Sequence, residues 1–243
     1  DDSYDAESAV KINEASDRLT LALSEFHAWA TAKSMALAPS KSTVTLFSPD
    51  THQSTLHPVV SVAGNPLQLE RTPTLLGVKF DPHFTFAPHC KAIAERAQQK
   101  VSIMKSIAGS KWGASKEVLS TTFTALVKSV LNYAAPIWGP NASASSFHRL
   151  QVVQNAALRV ATGCVASTPV SHHHQEMLEL PIEDQVHMLG EQFLAAAMRI
   201  SHPSRAIVTS DVGPRQMKET IYTRYSATVS PFLTDGVLLM DDY

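Results

Sequence analysis

Leu75 to Gly109 reads LLGVKFDPHFTFAPHCKAIAERAQQKVSIMKSIAG, and inside this stretch the repeat of apolar residues changes. Leu75 to Phe80 is short and bounded by turn-forming residues, which suits a strand. From Pro88 onward Cys90, Ile93, Ala94, Ala97, Val101, Met104 and Ala108 recur at three- and four-residue spacing. That spacing puts them on one face of a helix. Gly109 ends it, because glycine enters the left-handed backbone that closes helices without a Cβ clash. Lys91, Arg96, Lys100 and Lys105 fall off the apolar stripe. A chain that passes from strands to helices at this point is expected to be α+β and predominantly helical, with a small antiparallel β ribbon followed by a helical bundle.

Toward the N-terminus, Leu67 to Leu69 and Val59 to Val62 flank a turn at Gly64-Asn65-Pro66, and Ser42 to Phe47 (STVTLF) alternates and is rich in β-branched residues. Before them, Ile12, Leu19, Leu23, Phe26 and Ala30 predict a helix from about Ala6 to Leu37, with Ser3 or Asp5 as N-cap and Pro39 as stop. Toward the C-terminus, Val118, Leu119, Phe123, Leu126, Val130 and Leu131 predict a helix from about Ser115 to Ala135, stopped by Pro136. Leu150, Val153, Ala157, Leu158 and Ala161 predict another from Ala144 to Thr162, closed by Gly163. A short turn after Pro169 and a helix from Pro181 to Ile200 follow, and periodicity fades beyond Ser201. The expected domains are 1–80, 81–200 and a loosely ordered tail at 201–243.

The 243 residues are enough for a substantial core. The 20 Lys+Arg against 22 Asp+Glu give a net charge of -2, so the whole chain is neither a polycation nor an acidic tail. Its distribution says more. Residues 81–170 hold nine basic and three acidic residues, between flanks in which acidic residues prevail. A polyanion is expected to touch this central segment, with lysines following a phosphate backbone and reading no bases. The apolar runs are too short and too interrupted to cross a membrane. With two cysteines, Cys90 and Cys164, and no signal-peptide pattern, a cytoplasmic or nuclear setting is expected rather than secretion.

Several residue types invite chemistry. Adjacent carboxylates such as Asp1-Asp2 can hold part of a Mg²⁺ shell, with phosphates and water completing it, though isolated pairs are usually solvated. His172-His173-His174 cannot converge on one metal from a helix, since successive side chains fan out by about 100°. Trp112, Tyr133 and Trp138 could stack on bases, but Tyr133 and Trp138 sit in an apolar segment that suits a core. Cys164 has no neighbouring base in sequence and reads as a structural thiol.

Taken in order, these blocks resemble the reverse transcriptases of non-LTR (LINE-type) retrotransposons, specifically the C-terminal end of the palm and the thumb. Asp1-Asp2 stands where the family has its (Y/F)ADD motif. Trp29 and Leu37 to Phe47 (LAPSKSTVTLF) look like the following block, and Leu75 to Phe86 (LLGVKFDPHFTF) with His89 resembles the block at the primer grip and thumb entrance. Trp112-Gly113, Ser129 to Trp138 (SVLNYAAPIW), Leu150 to Gly163 (LQVVQNAALRVATG) and Ser167 to Pro169 with Glu176 resemble the helical region beyond. Ser3 to Glu7 is polar where family members carry an apolar strand.

The resemblance implies RNA-directed DNA synthesis by a two-metal nucleotidyl transfer. Asp1 and Asp2 would ligate Mg²⁺, and Lys41 would approach the pyrophosphate, unless it is simply a solvated loop lysine. Leu76, Gly77 and Val78 would form the primer grip. Lys91, Arg96, Lys100, Lys105, Lys111 and Lys116 would hold the RNA template and DNA primer duplex. The family needs a further Asp and a fingers region that these residues do not contain. The expectation is therefore a fragment that is inactive alone and requires the fingers-palm region or a protein partner over its apolar faces. The alternative is a retroelement-derived, non-catalytic nucleic-acid-binding or scaffold module. An in-frame fingers-palm region upstream would favour the fragment, and an initiator Met just before Asp1 the module.

Overall fold

The first helix, α1 (Asp2–Ala32), begins earlier than its apolar spacing suggests, and Ser3 and Asp5 lie inside it rather than capping it. It also ends earlier. Ser34 turns left-handed at φ 58°, and the Met35 amide donates to the Ala30 carbonyl at 2.9 Å, so the helix closes before Pro39 is reached. The structure is a computed structural model and describes residues 2–48, 50–109, 113–165, 167–199, 203–205 and 225. It divides into two units, 1–84 and 85–243.

In the first unit the inward face of α1 differs from the expected stripe. Ser8, Ser16 and Ala30 are buried and Ile12, Thr20, Leu23 and His27 half-buried, whereas Leu19 and Phe26 are exposed. Small polar residues line this face because it meets irregular chain whose amides and side chains need partners. Ser8 Oγ accepts from Gln53 Nε2 at 3.1 Å, and Thr20 Oγ1 accepts from the Ser61 amide at 3.3 Å. A 3₁₀ turn at Pro39–Lys41 leads into β1 (Thr43–Val44), and another spans Gln53–Thr55.

The expected antiparallel ribbon is instead three separate pairs. Strands β2 (Ser61–Val62) and β3 (Asn65–Pro66) form one hairpin, and β5 (Thr74–Leu75) and β6 (Val78–Lys79) another. Between them β4 (Gln68–Leu69) pairs parallel with β1, Thr43 against Gln68 and Val44 against Leu69. Parallel pairing needs a long connection, which the chain between β1 and β4 supplies. Both hairpins turn on an X-Gly pair with two positive φ values, Ala63-Gly64 at 51° and 77° and Leu76-Gly77 at 49° and 83°. Such turns match the twist of the strands they join. The first turn thus sits one residue before the Asn65-Pro66 step, which belongs to β3.

The second unit is helical. Helix α2 (Ala87–Ile107) buries the expected face and adds His89 to it, but it ends before Ala108, which is half-buried, and Gly109 does not turn left-handed to close it. Helix α3 (Lys116–Thr122) starts at Ser115, whose side chain accepts from the Val118 amide. It runs through a π turn at Phe123–Lys128 into α4 (Ser129–Asn132). The wider π turn keeps Leu119, Phe123, Val127 and Leu131 on the buried side at four-residue spacing. Ala134, at φ 52°, breaks the chain before Pro136, which opens α5 (Ala135–Trp138) instead of ending the preceding helix.

Helix α6 (Ala144–Thr162) matches its predicted bounds, with Ser143 as N-cap and Gly163 left-handed at φ 65°. Helices α7 (Val170–Met177) and α8 (Ile182–Ala197) complete the unit. An aromatic series joins four of these elements: His89 lies 6.3 Å from Trp138, Trp138 6.2 Å from Phe147, and Phe147 6.2 Å from His187. Tyr225 extends the series, 5.6 Å from His187 and buried against Gly190, where a Cβ would meet its Cε2 at 2.3 Å. The rest of the predicted tail, apart from 203–205, lies outside the described residues.

Gly163 offers a clean test of the α6 end, since nothing lies within 4 Å of where its Cβ would be. The only expected cost of Gly163→Ala is therefore conformational, about 1 kcal/mol for a left-handed non-glycine residue. Urea unfolding followed by circular dichroism should show that loss; an unchanged midpoint would mean that the helix ends another way.

Candidate nucleic-acid interface

Cations matter here only where the fold leaves them free. Lys91, Arg96 and Lys105 on α2 are exposed and Lys100 is half-buried, and among the described residues none of the four makes an ion pair or a side-chain hydrogen bond. They do not share one edge. With about 100° between successive residues, Lys91 and Lys105 flank one side of the buried stripe, and Arg96 and Lys100 stand about 140–180° away on the other. Arg149, exposed on α6 and also unpaired, faces the Lys91 side across a shallow groove lined by Lys91, Glu95, Gln98, Gln99, Arg149 and Val153.

The other sequence candidates divide differently. Lys116 is engaged, its Nζ 2.7 Å from Glu176 Oε1, and this pairing holds the Glu176 carboxyl below the usual carboxylate range. Lys111 lies outside the described residues. Lys128, which was not a candidate, is held by Glu179 at 2.7 Å. Arg149 could have been suspected from its place on the polar side of a strongly amphipathic helix, but its position opposite Lys91 follows only from how α2 and α6 pack.

In the first unit, Lys41 ends a 3₁₀ turn, exposed and with no ion-pair partner among the described residues. Leu76 and Gly77 form the tip of the β5–β6 hairpin, with Leu76 83% exposed, while Val78 is buried beneath it. Asp1 lies outside the described residues, and Asp2 is the first residue of α1. No three His, Cys, Asp or Glu side chains converge as metal ligands among the described residues.

The histidine run is structural. His172 is exposed, His173 is buried with Nδ1 2.8 Å from Thr162 Oγ1, and His174 lies 2.8 Å from the Glu179 carbonyl and 3.0 Å from Asn155 Oδ1. Cys164 Sγ donates to Glu176 Oε2 at 3.6 Å. Trp138 is fully buried and donates to the Tyr133 carbonyl at 2.9 Å, so it belongs to the core; Tyr133 is half exposed and Trp112 lies outside the described residues.

Two curated proteins of Drosophila melanogaster are similar to the chain over both units. One, described as a probable RNA-directed DNA polymerase from transposon BS, is 27% identical over 177 residues, covering 72% of this chain and 19% of its own length. The other, described as a probable RNA-directed DNA polymerase from transposon X-element, is 26% identical over 196 residues, covering 75% of this chain and 21% of its own length. The chain is reverse-transcriptase-like. Its resemblance to non-LTR retrotransposon polymerases thus rests on similarity along most of its length as well as on separate motifs. This reverse-transcriptase-like chain spans about a fifth of the length of the curated relatives it matches. No family model matches it, and no solved structure does. No described helix is long and apolar enough to cross a membrane.

Proposed function

We propose that the chain is the nucleic-acid-holding part of an RNA-directed DNA polymerase of the non-LTR retrotransposon type. Its helical unit acts as a thumb against an RNA template and DNA primer duplex, and Leu76, Gly77 and Val78 are assigned to the primer grip. The observation that carries this reading is the set of unpaired cations on the helical unit, in a chain whose curated relatives are RNA-directed DNA polymerases. Exposed cations with no carboxylate partner are available to displace counterions from phosphates. Asp1 and Asp2 contribute carboxylates toward Mg²⁺ but supply only part of its octahedron, so by itself the chain holds nucleic acid and does not polymerise. Lys41 is assigned to the same catalytic neighbourhood. The work of such a chain lies in the cytoplasm or nucleus.

Leu19, Leu21, Phe26 and Trp29 leave exposed apolar surface on α1, with Phe26 and Trp29 stacked at 5.6 Å. This favours coverage by further polymerase sequence or by another protein, which is also what a non-catalytic scaffold would require.

Two measurements test the proposal. Binding of a labelled RNA–DNA hybrid should weaken steeply with salt, and a flat salt dependence would remove the thumb assignment. Primer extension with template, dNTPs and Mg²⁺ or Mn²⁺ should stay at background, and incorporation by this chain alone would overturn the expectation that it holds without polymerising.

A further inference from the structure

We infer that the nucleic-acid backbone follows the groove between α2 and α6, gripped by Lys91 from one helix and Arg149 from the other, and not the opposite edge of α2 where Arg96 and Lys100 stand. The inference rests on the proposed function and narrows it to one of two basic edges that sequence alone does not separate.

Three features favour the groove. First, its cations come from different helices whose relative placement is set by buried packing, with Val153 of α6 in the groove lining and fully buried neighbours such as Ala97 and Leu150 behind it. Opposed donors whose helices are fixed by a core lose less freedom on closing around a strand than Arg96 and Lys100, which project from a single helix edge. Secondly, Gln98 and Gln99 add side-chain amides that make no hydrogen bond among the described residues. An ammonium, a guanidinium and two amides form a donor set suited to phosphate and sugar oxygens, and Arg149 can grip a phosphate with two parallel bonds. Thirdly, Lys91, Gln98 and Lys105 recur every seven residues and so fall close to one line, about 21 Å long at 1.5 Å per residue. A line of that length fits an extended backbone better than a small anion. Glu95, the single carboxylate of the groove, is the one lining group that opposes phosphate, and Lys91 and Arg149 outnumber it.

Two pairs of substitutions with equal change of charge decide the matter. Lys91→Gln with Arg149→Gln empties the groove, and Arg96→Gln with Lys100→Gln empties the other edge. Each is compared with the intact chain for binding a fluorescein-labelled RNA–DNA hybrid by anisotropy, across a series of salt concentrations. The groove pair should weaken binding roughly tenfold or more at about 0.1 M salt and reduce the slope of log K against log salt by about 2, as expected for two lost phosphate contacts. The edge pair should weaken it less than about threefold, through the general field alone. Lys91→Arg with Arg149→Lys, which keeps the charge, should restore most of the affinity, and circular dichroism should show each variant folded.

Equal losses from the two pairs, or a larger loss from the edge pair, would overturn the groove while leaving the proposed function standing. Binding by the intact chain that neither pair affects would do the same. An intact chain without salt-dependent binding would remove the proposed function, and the groove with it.

Discussion

Trp138→Ala is expected to cost about 3–5 kcal/mol, the range for truncating a large buried aromatic side chain. Trp138 is fully buried at the end of α5, and its ring contacts His89 of α2 and Phe147 of α6. Its removal opens a cavity between three elements that cannot all close over it. The indole N–H also leaves the Tyr133 carbonyl without its donor, but Tyr133 is half exposed and water can replace that bond, so the cavity dominates. For a unit of this size each kcal/mol moves the midpoint by about 2–4 °C, so thermal unfolding should fall by about 10 °C or more. Trp138→Phe keeps most of the volume and should lose well under half as much. A loss below about 1 kcal/mol for the alanine variant would contradict the core described here.

Glu179→Gln should be the next most damaging change, at about 2 kcal/mol. Glu179 is 9% exposed and Lys128 28%, with Nζ 2.9 Å from Oε1 and 2.7 Å from Oε2. The amide keeps the shape but leaves a partly buried ammonium without a counter-charge, and that stranded charge outweighs the modest net value of the pair. The double variant Lys128→Met with Glu179→Leu removes both charges and should recover most of the loss. Urea unfolding of Lys128→Met, Glu179→Leu and the double variant, beside Glu179→Gln, completes the cycle. A double variant as unstable as Glu179→Gln would mean that shape, not charge, holds the π turn to the end of α7.

How far the sequence could be read depended on what each signal encodes. Helix α6 was legible to its ends because a regular apolar spacing and the closing Gly163 are local instructions. The face of α2 was legible for the same reason, except for His89, a polar residue that the aromatic series draws into the core. Helix α1 misled, because the apolar residues of its expected stripe include Leu19 and Phe26, which the fold leaves exposed, while Ser8 is buried where it meets the Gln53 side chain and Ser16 is buried with its hydroxyl on the Ile12 carbonyl of the same helix. Pro136 misled in another way: a proline marks a boundary, but whether it ends one helix or opens the next is decided by Ala134 turning left-handed before it.

Local chemistry in the chain therefore determined the α+β class, most helix bounds and the excess of positive charge between residues 81 and 170. The pairing of β1 with β4 was decided by tertiary structure, since parallel strands meet only through a long connection that carries no local register signal. The fate of each cation was decided in the same way. Lys116 and Lys128 are taken up by carboxylates from the segment around α7, while Lys91 is left facing Arg149 across a groove. Charge can be counted along a sequence, but its availability depends on which groups the fold brings within a few ångströms, because the interaction falls with distance and with exposure to water and salt.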